Sequence, residues 1–250
     1  SDLVYRYNIF YDNCSTRPRN IIEGQLEGTV VYAPHKGDDP TFREMVHQMT
    51  EGHPWAAFGN DLLLGLCADQ KATQREQQFL PKNLSYDFDH AIVDRSGTRN
   101  ALVLRHVTHV QGYPQTAKES FPLSPRACTL FILLLTLILT VYERRRKRLT
   151  VWWDTLTMLA TGLAGCILLL MVFSDHPTTT INLQILLLNP LSLVFIPMVV
   201  LRRPTRWFKI SAVMLLLFLL GSFWQDYAEG TTFVALSLLI RSIAHTHYVK

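Results

Sequence analysis

Everything after Phe121 is written as long apolar runs broken by short charged loops, and that pattern limits the folds open to this chain more than any other. A helix needs about 20 mainly apolar residues to cross a hydrocarbon core about 30 Å thick. Four runs meet that requirement, at about 121–142, 149–173, 181–201 and 207–224. A fifth, at 231–249, is interrupted by Arg241, His245 and His247. It reads as a short or tilted span, because an intramembrane arginine is costly unless it faces protein or snorkels to a headgroup. The expectation is an α-helical membrane domain of four to five spans over residues 121–250.

The loops between the runs alternate in charge. Glu143-Arg144-Arg145-Arg146-Lys147-Arg148 follows the first run, and Arg202, Arg203, Arg206 and Lys209 follow the third. Loops 174–180 and 225–230 contain acids and no Lys or Arg. Positive loops stay in the cytoplasm. Residues 1–120 are therefore expected on the exoplasmic side, and Lys250 on the cytoplasmic side if the fifth run crosses. The net charge of +4 mostly reports these anchors. The basic residues flank apolar runs instead of forming a stripe with aromatics, which argues against nucleic acid as a partner. No signal peptide is visible at Ser1, so an export signal is expected upstream of this numbering.

Residues 1–120 have the mixed composition of a soluble domain with one modest core. Residues 4–11 alternate apolar and polar, which suits a strand or a tight helix entry. Residues 17–26 have helical spacing, with Ile21, Ile22 and Leu26 on one side and Asn13 or Ser15 as N-cap. Residues 28–40 read as hairpin or loop. Thr41 and Glu44 then form a capping box for a helix ending near Gly52-His53-Pro54. Residues 55–66 and 73–80 are helical, with Pro81 closing the latter. A turn at 96–100 joins 91–93 to 101–104 as a hairpin, and 111–120 links into the first span.

Four cysteines divide by location. Cys128 and Cys166 lie in apolar runs, where a free thiol packs as a small hydrophobe. Cys14 and Cys67 belong to the exoplasmic domain, where an oxidising compartment permits a disulfide between them. Cys14 also stands where a strand-like stretch breaks into a polar turn that opens a helix. There, unpaired N–H groups and the helix dipole favour a thiolate. A thiol nucleophile needs a base within reach. His35, His47, His53, His90, His106 and His109 are candidates, and none stands at a spacing that singles it out. His106 and His109 lack a third ligand of convincing spacing, so no metal site is expected. Arg17 suits a phospholipid headgroup, and solvation or an ion pair such as Arg19 with Glu23 at i,i+4 is the alternative for these arginines. Asp61, an acid inside an apolar helix, is either paired or functional, pairing being the commoner case. His176, in an exoplasmic loop, is either a rim residue of the Cys14 site or a loop-packing residue.

The segments Phe10-Tyr11-Asp12-Asn13-Cys14-Ser15-Thr16-Arg17, Pro54-Trp55-Ala56-Ala57-Phe58-Gly59-Asn60-Asp61-Leu62-Leu63-Leu64-Gly65 with Ala68-Asp69, Phe79-Leu80-Pro81, Asp175-His176-Pro177 and Asn189-Pro190-Leu191 carry a resemblance. Together they resemble the Bacteroidota membrane proteins with an exoplasmic papain-like thiol domain and a helical tail. That family includes the lipoprotein N-acyltransferase of these bacteria. The likeness runs from Tyr7 to Arg241.

The resemblance implies an α+β papain-like (permuted NlpC-like) exoplasmic domain at 1–120, of which the C-terminal part is present, followed by the membrane domain at 121–250. Cys14 matches the family nucleophile, and Asp12, Asn13, Thr16 and Arg17 match its surrounding motif. The family histidine would lie in a Gly-His segment upstream of Ser1, so a preceding stretch or a complementing chain is expected to supply the base. The implied activity moves an acyl chain from a phospholipid donor, through a Cys14 thioester, to the α-amine of a lipidated lipoprotein. It needs no cofactor or metal. The Cys14 N–H, with Asn13 as a second donor, would stabilise the oxyanion. The implied location is the bacterial inner membrane, with the thiol domain periplasmic. Two alternatives stay open: a membrane thiol hydrolase, and a non-enzymatic scaffold or envelope-assembly factor with Cys14 paired to Cys67.

Overall fold

The structure, a computed structural model, describes residues 7–109, 122–174 and 177–248. In chain order its elements are α1 (Thr16–Gln25), β1 (Thr29–Val31), α2 (Phe42–Met49), α3 (Pro54–Leu63), α4 (Gln74–Gln77), α5 (Pro81–Asp89), β2 (Ile92–Arg95) and β3 (Thr98–Ala101). The helices α6 (Pro125–Arg146), α7 (Val151–Val172), α8 (Leu191–Val200), α9 (Trp207–Gly221) and α10 (Thr231–Tyr248) follow. Short 3-10 turns occupy Leu66–Asp69, Pro177–Thr179 and Leu183–Leu186. The chain forms two compact units, one of Ser1–Phe42 with Lys71–Lys118, the other of Arg43–Gln70 with Glu119–Lys250.

The first unit is built around an aromatic cluster and a small sheet. Phe10 is buried edge-on against Phe42 and Phe79, with ring centroids 5.0 and 4.9 Å away. Three antiparallel strands lie in the order β1-β2-β3, with Val30 opposite Val93 and Val93 opposite Asn100. A hairpin is present here, but its turn is shorter than the 96–100 expected, and its second strand is Thr98–Ala101 and not 101–104. Ser96 and Gly97 form its two-residue tip, with φ of 49° and 91°, the positive pair that matches the twist of the flanking strands.

Two other local expectations are corrected in this unit. Residues 7–12 form a tight turn instead of a strand: Asn8 and Asp12 exchange backbone hydrogen bonds of 3.0 Å, and Asn8 Oδ1 accepts the N–H groups of Phe10 and Tyr11. A short amide side chain that bonds its own backbone outcompetes extended pairing. Pro81 opens α5 instead of closing the preceding helix, since a proline at the first helical position forfeits no hydrogen bond. On α1 the apolar side faces outward, Ile21 being 64% and Ile22 41% exposed, while Arg19 is buried.

In the second unit α10 packs against α6 and α9, and α7 against α8. Leu168, Leu187, Leu215, Phe218 and Ala235 form one core cluster, and Met158, Val199, Trp207 and Phe208 another. Among the described residues, three segments are long and apolar enough to cross a membrane, Pro125–Arg146, Val151–Val172 and Leu183–Val200. Trp207–Gly221 and Thr231–Thr246 are shorter apolar helices. Phe131, Leu134 and Ile138 on α6, and Leu163, Ile167 and Leu170 on α7, are exposed, as membrane helices with apolar outer faces require. The chain is a membrane protein.

The segment expected as a continuous third span is broken before α8. Pro190 has no N–H to give, and Asn189 Oδ1 accepts the Leu191 N–H at 2.9 Å, restarting the helix. Gly165 of α7 makes the break possible. A Cβ there would stand 2.3 Å from the Leu188 carbonyl oxygen, so only a glycine admits that backbone.

Arg241 faces protein. Its Nε and Nη2 donate to the two carboxylate oxygens of Asp154 at 2.6 and 2.8 Å, and its Nη1 donates to Glu143. His245, one turn on, meets Asp154 at 2.7 Å and stacks on Phe208. Arg241 is 2% exposed. An otherwise prohibitive charge is thus paired from two other helices, and it ties α10 to α6 and α7.

Candidate functional site

Asn13 organises the turn that carries Cys14. Its side chain is almost fully buried, and every hydrogen-bonding position of its amide is engaged. Oδ1 accepts the Ser15 and Thr16 N–H groups at 2.8 and 2.9 Å. Nδ2 donates to the carbonyls of Ile9 and Phe79, both at 2.9 Å. In return the Asn13 N–H donates to Thr16 Oγ1 at 2.8 Å. Asn13 therefore serves as the functional cap of α1, while Ser15 makes no side-chain cap bond. With both amide protons committed, Asn13 cannot be the second oxyanion donor expected from the sequence. The Cys14 N–H meets no acceptor among the described residues.

Cys14 itself is exposed and Cys67 partly buried, and both thiols are free. Asp12 and Arg17 close the other side of the turn. Arg17 Nε and Nη2 donate to the Asp12 carboxylate at 2.7 and 2.9 Å. Those hydrogen bonds hold the Asp12 carboxyl below its ordinary range. The structure thus brings Asp12, Asn13, Cys14, Thr16 and Arg17 together in one turn.

Arg19 does not pair with Glu23 as the helical spacing suggested. Its Nη1 donates to the Arg75 carbonyl at 2.8 Å and to Gln78 Oε1 at 3.1 Å. Glu23 is instead held by Arg75 at 2.8 Å and by the Tyr32 hydroxyl at 2.5 Å. Burial pushes the Glu23 carboxyl up, but the hydrogen bonds from Arg75 and Tyr32 outweigh it and leave the carboxyl below its ordinary value. Burial first, and then the hydrogen bond to Glu23, push the Tyr32 phenol far up.

The histidines fall into places the spacing did not reveal. His35 Nε2 meets the buried Asp87 carboxylate at 2.6 Å, and its other nitrogen lies 3.3 Å from Gln77 Oε1. His106 pairs with Asp89 at 3.2 Å. Among the described residues none hydrogen-bonds Cys14, and no group of three or more His, Cys, Asp or Glu could hold a metal ion.

Asp61 lies in the other unit and is paired. It accepts Arg43 Nη1 at 2.9 Å and His47 Nε2 at 2.8 Å, while Arg43 Nε reaches Asp69 at 2.5 Å. Burial lowers the Arg43 guanidinium's affinity for its proton, and Asp69 and Asp61 more than restore it. Around this pair, buried amides join the end of α3 to the loops of the helical bundle. Asn182 Nδ2 donates to the Leu62 carbonyl at 2.8 Å, Gln184 Nε2 to the Asp61 carbonyl at 2.7 Å, and Gln225 Nε2 to the Leu64 carbonyl at 3.2 Å. His176 lies outside the described residues.

The family model for the Lnb transmembrane domain matches residues 116–250, just over half of the chain. The chain belongs to the Lnb transmembrane-domain family. No curated protein and no solved structure matches it. In this Lnb family member the matched residues carry α6 to α10 and the Arg241–Asp154 pair, whereas the Cys14 turn precedes them. Asp154 and Glu143 were the residues that sequence reasoning passed over. Their signal was an acid at each of two apolar runs, with an arginine inside a third.

Proposed function

We propose that this protein is a lipoprotein N-acyltransferase of the bacterial inner membrane, with the Cys14 unit on the periplasmic side. The observation that carries the reading is an exposed, unpaired thiol in the turn that leads into α1. It is fixed by a fully bonded Asn13 and an Asp12–Arg17 clamp, in a chain whose other half is an Lnb transmembrane domain. The proposal includes a papain-like thiol domain, a bundle of four to five spans and a Bacteroidota origin, all of which rest on the resemblance of the motifs.

Chemically, the Cys14 thiolate attacks the ester carbonyl of a phospholipid, the carbonyl carbon gains a bond to sulfur, and the lysophospholipid alcohol leaves with a proton. The α-amine of the lipidated cysteine then attacks the thioester, forms the amide and returns the thiol. The oxyanion donor would be the Cys14 N–H. The base that takes the thiol proton is assigned by the resemblance to a histidine upstream of Ser1. A thiol domain held at the surface by apolar helices suits two substrates that are both anchored in the bilayer. The test is lipoprotein acylation in a strain carrying Cys14→Ser. Loss of the amide-linked chain supports the proposal, and unchanged triacylation at normal protein levels defeats it.

A further inference from the structure

One end of the helical bundle contains a cavity of about 580 Å³ that the acyl-transfer chemistry does not use. This volume falls in the range of about 300–1,000 Å³ typical of ligand pockets. Its rim carries Lys147, Arg148, Arg202, Arg203, Arg206 and Lys209, and no carboxylate lines it. All six side chains are exposed, and among the described residues none has an acidic partner. Its wall is apolar, formed by Leu149, Val199 and Phe208. We propose that this cavity binds a phosphate-bearing anion, with the phosphodiester headgroup of an acidic phospholipid as the fitting form: six cations for the phosphate and an apolar wall for the glycerol and first acyl carbons.

Two backbone observations separate a built site from loops that are merely basic. Lys147, which ends α6, and Arg202, which follows α8, both have left-handed φ, of 51° and 53°. Helix C-termini of this kind ordinarily take glycine, because a side chain there is strained. The chain keeps a cation at both positions, and both line the cavity. In addition, α7 and α9 begin at the same cavity. Thr150 and Arg206 make no side-chain cap bond themselves; Glu143 accepts the Thr150 N–H at 2.6 Å and Thr205 Oγ1 the Trp207 N–H at 3.1 Å, so these helix starts add a dipole to the cations and not a set of free donors. Arg144 and Arg145 on α6 are equally exposed but do not line the cavity. They provide a charge-matched control.

The inference does not rest on acyl transfer. The experiment uses the full chain purified in neutral detergent, with native mass spectrometry of retained phosphatidylglycerol against phosphatidylcholine, and with inorganic phosphate as a separate probe. Wild type is expected to retain phosphatidylglycerol preferentially. R203Q/R206Q lowers retention roughly thirtyfold, and R144Q/R145Q leaves it unchanged. K147G/R202G relieves the two strained positions, so it keeps or raises thermal stability while retention falls. If inorganic phosphate binds with the same variant pattern and phosphatidylglycerol shows no preference over phosphatidylcholine, the site takes free phosphate. If neither probe binds preferentially, or the two arginine double variants lose retention equally, the proposal is overturned.

Discussion

Arg17 grips Asp12 across the turn that carries Cys14, with Nε on one carboxylate oxygen at 2.7 Å and Nη2 on the other at 2.9 Å. Both partners are substantially exposed, so the pair does little for global stability. Its effect is orientational, because a planar fork fixes the angle between the residues on either side of the thiol.

Arg17→Ala is therefore expected to leave the unfolding midpoint almost unchanged and to lower acyl transfer by about tenfold to a hundredfold, the range for small misplacement of a reacting group. Arg17→Lys keeps the charge but loses the fork, and should fall in between. Side-by-side thermal unfolding and single-turnover acylation check this.

Asn13→Ala should behave differently. It removes the cap of α1, costing about 1–2 kcal/mol, and leaves the Ile9 and Phe79 carbonyls without their donor. Asn13→Asp keeps the acceptor but not the donors, so it should restore part of the stability. Unfolding midpoints, with the alkylation rate of Cys14 as a local readout, distinguish the two variants.

Acid should loosen the first unit through Glu23. Its carboxyl is held below its ordinary value of 4.5, after burial is outweighed by Arg75 and Tyr32. A depressed carboxyl contributes stability above its unfolded value and loses it as pH falls through the lower folded value. Wild type should therefore keep this contribution until pH drops below about 4.5. In Arg75→Leu, with burial then dominant, the folded carboxyl rises above its ordinary value, so this acid-induced loss should disappear and the variant should gain on wild type as pH falls. Unfolding midpoints between about pH 6 and pH 3 give the comparison.

What the sequence disclosed follows from the range of the interactions involved. The apolar runs, the α1 entry and the Ser96-Gly97 hairpin depend on neighbours within a turn or two, and the pattern shows them. Arg19 was misjudged because its partners, Arg75 and Gln78, lie more than fifty residues away. Without them, Ile21 and Ile22 look like the side to bury. The break at Asn189-Pro190 carried a local signal in its proline. Its tolerance in the bundle depends on Gly165 in another helix, which no local pattern shows. Asn13 is intermediate: its capping role was legible, and its bond to the Phe79 carbonyl was not.

Arg241→Met should unfold the bundle more readily than any substitution in the Cys14 turn. It leaves Asp154 and Glu143 buried without their cation, at a cost of about 3–5 kcal/mol. Adding Asp154→Leu and Glu143→Leu should recover much of that loss, because an apolar replacement of a whole buried ion cluster is often neutral. Thermal unfolding of the single and triple variants in detergent tests the pairing.

The central claim is that Cys14 carries the acyl chain, and peptide mass spectrometry of the protein purified from acyl-donor-containing membranes tests it most directly. The account predicts a fatty-acyl thioester on the Cys14 peptide, released by hydroxylamine and absent from the Cys67 peptide. A Cys14 peptide that stays unmodified when acceptor lipoprotein is withheld and phospholipid is abundant would contradict it.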